Sequence, residues 1–130
     1  MTSAPRIVIV DRSLLAANLY KLLLAPLGAV IAVRRRFEEA RPDIARRGAV
    51  QLLIINCNAV GKKYSEVAAE LEREASLADV PKVFFCEEGE AESIMRKRLA
   101  QIPKAEVISR PFHPDEFAAL VNKLLRRETR

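Results

Sequence analysis

VQLLII, residues Val50 to Ile55, is an apolar run with one polar member, and its reading decides the fold. A strand with one wet face alternates apolar and polar side chains, whereas a strand covered on both faces reads as nearly continuous Val, Ile, Leu or Phe. RIVIV (Arg6 to Val10) and KVFFC (Lys82 to Cys86) share the second pattern, and AVIAV (Ala29 to Val33) and AEVIS (Ala105 to Ser109) bring the short runs to five. A parallel sheet is expected. Helical patterns lie between the runs, at Leu14 to Ala25, Pro42 to Arg47, Tyr64 to Ser76, Glu90 to Gln101 and Pro114 to Arg127. Ser13 suits the N-cap of the first, Pro42 the first turn of the second with Gly48 past its end, and Pro114 with Asp115 and Glu116 the start of the last. Phe117, Leu120, Val121, Leu124 and Leu125 recur at helical spacing as one buried stripe, with Lys123, Arg126 and Arg127 solvated. Five strands alternating with five helices require right-handed crossovers, hence a doubly wound three-layer α/β domain.

The 130 residues are half hydrophobic and 30% charged, which suits one domain over residues 1–130 with its own core. No apolar run approaches the roughly 20 residues of a membrane span, and no signal peptide precedes the first strand, so a cytoplasmic protein without membrane attachment is expected. Cys57 and Cys86 form no CxxC pair and read as separate reduced thiols in the core, not as a disulfide framework or zinc site. The net charge of +5 is uneven: residues 1 to 65 hold 11 basic and 4 acidic side chains, and residues 66 to 130 hold 11 and 13. The first half therefore carries the positive field, which alone does not choose between nucleic acid, lipid and an acidic protein face.

In doubly wound sheets the ligand crevice lies beyond the carboxyl ends of the strands. The residues to question there are Asp11, Arg12, Asn56, Cys86, Glu87 and Arg110. At these positions the sequence resembles the receiver domains of two-component response regulators, over nearly its whole length. IVIVDRS (Ile7 to Ser13) is similar to the family's first strand and acidic turn, and LLIINCNAVG (Leu52 to Gly61) to its third strand and phosphoacceptor loop. KVFFCEEG (Lys82 to Gly89) is similar to the fourth strand with its switch hydroxyl, VISRPF (Val107 to Phe112) to the fifth strand ending in Lys-Pro, and HPDEF (His113 to Phe117) to the start of the last helix. The resemblance implies a flavodoxin-like sheet of strand order 2-1-3-4-5.

It also implies a degenerate site, a pseudo-receiver. The family's chemistry uses a magnesium ion held by carboxylates, an aspartate that accepts a phosphoryl group, a Ser or Thr that follows the phosphate and a lysine that pairs with it. Here Asp11 survives from the acidic pair, but its neighbour is Arg12, whose guanidinium cannot ligate a metal. Asn56 stands at the acceptor position, and a neutral amide lacks the nucleophilicity to form an acyl phosphate. Cys86 replaces the switch hydroxyl, and Arg110 replaces the lysine with a planar fork suited to a carboxylate or amide. Pro111 is kept, with a cis Arg110–Pro111 bond implied by the resemblance. Val107 lies where the family carries an aromatic switch. The expectation is a pocket with no cofactor and no magnesium, closed by Asp11 pairing with Arg12 or Arg110 and by an amide contact from Asn56.

The function implied is signal transduction by phosphorylation-independent docking, without enzymatic activity. The expected partner is a protein, either a histidine kinase or a downstream effector. The face formed by the fourth helix, fifth strand and fifth helix is the surface for it or for a homodimer. Arg34, Arg35 and Arg36 and the group Arg96, Lys97 and Arg98 are candidate partner contacts, with Val107 beside them. Ile94, Met95 and Leu99 are expected in the core, and His113 in a solvated or capping role. One alternative is an active phosphorelay receiver using Glu87, Glu88 or Asp11 as acceptor, which Arg12 opposes. Another is a nucleic-acid binder using Arg34 to Arg47, disfavoured by scarce aromatics and an acidic second half. A dinucleotide site lacks its GxGxxG.

Overall fold

The computed structural model describes residues 6–46, 48–87, 90–109 and 113–128. Its elements alternate along the chain: β1 (Arg6–Val10), α1 (Leu14–Leu24), β2 (Val30–Arg34), α2 (Phe37–Ala45), β3 (Leu52–Asn56), α3 (Tyr64–Arg73), β4 (Lys82–Cys86), α4 (Glu90–Ala100), β5 (Ala105–Ser109) and α5 (Pro114–Glu128). All neighbouring strands pair parallel, in the order β2-β1-β3-β4-β5.

Side chains alternate across the pleat, so each central strand feeds two cores. Ile7, Ile9, Leu52, Ile54, Val83 and Phe85 pack with Tyr20 and Leu24 of α1 and Phe117, Val121, Leu124 and Leu125 of α5. Val8, Val10, Leu53, Ile55 and Phe84 pack with Phe37 and Ile44 of α2, Val67 and Leu71 of α3 and Leu99 of α4. Both faces of β3 and β4 are buried throughout, which explains their continuous apolar sequences. Lys82 opens β4 while fully buried, because its ammonium donates to the carbonyls of Leu77 and Val80, each at 2.7 Å, and of Pro103 at 2.8 Å. A buried charge of this kind is tolerated only when so satisfied.

Side-chain caps form at the starts of α1 and α5. Ser13 Oγ accepts from the Ala16 N–H at 3.1 Å, and His113 accepts from the Asp115 N–H at its Nδ1, also 3.1 Å, at the start of α5. Two expectations need correction. The second helix starts at Phe37, five residues before the proline that was to open it, and Pro42 lies inside. Burial of Phe37, Ala40 and Ile44 at helical spacing outweighs the backbone hydrogen bond that Pro42 cannot donate. On α4, Leu99 is buried and Met95 packs on the core, but Ile94 is 65% exposed because it lies one position off the inward stripe.

Candidate functional site

Strand register brings the decisive residues together. Val10 pairs with Ile55, so the next position of each chain places Asp11 beside Asn56 at the carboxyl end of the sheet. Both side chains are buried. The Asn56 amide Nδ2 donates to Asp11 Oδ2 at 3.0 Å, and the Ser13 N–H donates to Asp11 Oδ1 at 2.8 Å. Asn58 adds a longer contact from its Nδ2 to Asp11 Oδ1, at 3.4 Å, while its backbone N–H donates to Asn56 Oδ1 at 3.1 Å. The Arg12 N–H reaches Asn58 Oδ1 at 3.4 Å, so the turn after β1 and the loop after β3 share one network.

These residues do not fit a divalent cation. Magnesium needs oxygen ligands, and here one carboxylate has both oxygens turned to N–H donors while the amide beside it presents hydrogens to it. Among the described residues no cluster of three His, Cys, Asp or Glu side chains is placed to hold a metal ion. Arg12 is exposed and lines an open cleft of about 780 Å³ with Arg35, Arg36, Lys62 and Lys63, among other residues. Arg110 and Pro111, with the bond between them, lie outside the described residues.

Cys57 and Cys86 are joined as a disulfide, against the expectation of two separate thiols. The register explains it. Asn56 pairs with Phe85, so the next position on each strand is a cysteine, and both fall on the same core face with Cα atoms 5.4 Å apart. That separation lies inside the usual disulfide range. Sequence spacing hid the pair, but aligning the ends of the third and fourth strands would have found it.

Charge pairing engages part of the candidate partner surface. Arg34 makes a two-pronged pair with Asp43 of α2, at 2.9 and 3.1 Å, so it braces β2 against α2. Arg98 pairs likewise with Glu72 of α3, at 2.6 and 3.1 Å, and these hydrogen bonds hold the Glu72 carboxyl below its ordinary range. Both guanidiniums are engaged in ion pairs within the domain, and their side chains stay 34% and 28% exposed. Arg41, from the same basic half, pairs with Glu70 and lies over the Phe37 ring. Arg35, Arg36 and Lys97 are exposed, and Arg96 is half-buried. Val107 is half-buried against the core, leaving only part of its side chain to a partner. The sequence reading missed the exposed leucines of α1: Leu14, Leu15, Leu19 and Leu22 are all more than half exposed. The signal was present, since LLAANLYKLLL carries more leucine than one helix face can bury.

No helix among the described residues is long and apolar enough to cross a membrane. No family model matches the sequence, and no curated protein matches it. Solved structures do. The signal receiver domain of an HD domain-containing protein from Pseudomonas fluorescens Pf-5 superposes with a TM-score of 0.80 at 17% identity, over 99% of this chain and 92% of that one. A CheY-like response regulator receiver domain protein from Methanospirillum hungatei JF-1 gives 0.75 at 19% identity, over 98% of each chain. The receiver domain of a sensor histidine kinase from Pseudomonas aeruginosa PAO1, with magnesium coordinated in its active site cleft, gives 0.75 at 14% identity, over 95% of this chain and 99% of that one. The doubly wound sheet, its strand order and its five helices are thus those of the response-regulator receiver fold.

Proposed function

We propose that this chain is a signalling module that keeps the receiver scaffold, has given up aspartyl phosphotransfer, and works by docking to a protein partner whatever the phosphorylation state of the pathway. The hydrogen bond from Asn56 Nδ2 to Asp11 Oδ2 carries this reading. At the position of the phosphoacceptor stands a group that donates a hydrogen bond where a nucleophile would attack. With both Asp11 oxygens accepting from N–H donors and Arg12 in the second acidic position, the pocket is a poor fit for magnesium. It acts as a fixed strut between the turn after β1 and the loop after β3. The module is not an enzyme, it works in the cytoplasm, and its partner is a kinase, an effector or a second copy. Exposed apolar side chains on α1 and at Ile94 supply surface for such contacts. The nucleic-acid reading loses Arg34 and Arg41 to internal ion pairs.

Magnesium with beryllium trifluoride, a stand-in for an acyl phosphate, tests the loss of switching. Amide spectra of the wild-type chain are expected to be unchanged by the pair. Saturable shifts at Asp11, Asn56 and the β4 end would contradict the proposal.

A further inference from the structure

We propose that Cys57 and Cys86 form a reversible thiol–disulfide site, driven by a peroxide oxidant and a dithiol reductant, that couples the loop after β3 to the end of β4. Two features place the pair at a point of leverage. Cys57 opens the loop through Lys63 that carries Asn58 and part of the basic cleft, while Cys86 is the last residue of β4. The loop and strand are thus tied covalently at the two positions that the receiver resemblance reads as acceptor-plus-one and switch. The inference rests on the proposed loss of phosphotransfer for its biological sense, though not for its chemistry.

The two residues are both buried and differ slightly in exposure. Cys57 keeps 8% of its residue surface and Cys86 keeps 1%, so in the proposed site the oxidant arrives from the Cys57 side and Cys86 resolves. The Cys57 thiolate attacks one peroxide oxygen, the O–O bond breaks, and Cys57 becomes a sulfenic acid as the leaving hydroxide takes a proton to form water. The Cys86 sulfur then attacks the Cys57 sulfur. The S–O bond breaks and a second water leaves with the Cys86 proton. Two thiols and one hydrogen peroxide thus give one disulfide and two waters. A small dithiol reverses the bond by exchange, leaving with its own sulfurs joined. Both cysteines sit on one sheet face in register, so closing and opening the bond requires no rearrangement of the strands.

The full chain is reduced with dithiothreitol under native conditions, and half is then treated with hydrogen peroxide. Both halves are quenched in acid, alkylated with N-ethylmaleimide in denaturant and weighed intact, and hydrogen exchange is measured on unquenched samples of each. The reduced half is expected to take two labels, and the oxidised half none while remaining monomeric. Amides of residues 58–63 are expected to exchange on the order of tenfold faster when reduced. The proposal is overturned by two labels after peroxide, by a disulfide-linked dimer, by failure of the dithiol to open the bond, or by equal exchange in both states. Attempted phosphorylation of the fully reduced chain reads the proposed loss of phosphotransfer separately, so the two fail independently.

Discussion

Replacing Asn56 with aspartate is expected to lower stability by about 2–4 kcal/mol at neutral pH in the absence of divalent ions. The wild-type amide donates to Asp11 across 3.0 Å in a buried site. A second carboxylate there removes a donor and sets two like charges in contact, away from solvent. The penalty fades as pH falls, because protonating one carboxyl of the variant pair restores an O–H donor to the other. Adding Arg12→Asp completes an acidic cluster that suits magnesium. Magnesium at a hundredfold its Kd is then expected to return about 2.7 kcal/mol, with no such effect on the wild type. Urea unfolding with and without magnesium measures all three chains. An Asn56→Asp variant as stable as wild type without magnesium would show that the Asn56–Asp11 contact is not the strut described.

Phe85→Ala is expected to cost about 3–5 kcal/mol, the upper range for emptying a core aromatic site. The Phe85 ring is fully buried and touches two others, with centroids 5.3 Å from Tyr20 and 5.4 Å from Phe117. Tyr20 and Phe117 also meet each other, at 5.4 Å, so the three rings join α1, β4 and α5. Removing the central one leaves a cavity that neither helix can fill without leaving the sheet. A loss below about 1 kcal/mol in denaturant unfolding would mean that this face repacks freely, contrary to the density of contact around it.

Much of the fold was legible because its strongest signals are local. The runs RIVIV, KVFFC and AEVIS became strands with the expected ends, since an apolar run bounded by turn chemistry needs no tertiary information. An amide contact from Asn56 was expected without a named partner, and the parallel register that makes the ends of β1 and β3 neighbours supplies Asp11. What escaped depends on contacts across elements. Pro42 was read by its local preference for a first turn, while burial of Phe37 drew the helix start toward the N-terminus. Arg34 and Arg98 looked like members of exposed basic runs until Asp43 and Glu72 arrived from other elements. Cys57 and Cys86 lie 29 residues apart and become partners only when β3 and β4 are laid side by side.

Intact mass after incubation with acetyl phosphate and magnesium tests the central claim most directly. The wild-type chain, with both cysteines reduced, is run beside the Arg12→Asp/Asn56→Asp variant. The wild type is expected to gain no phosphoryl group and the variant to gain one, showing a scaffold that remains competent once its carboxylates are restored. A phosphoryl group on the wild type would contradict the account, and would mean that another side chain at the end of this sheet still accepts it.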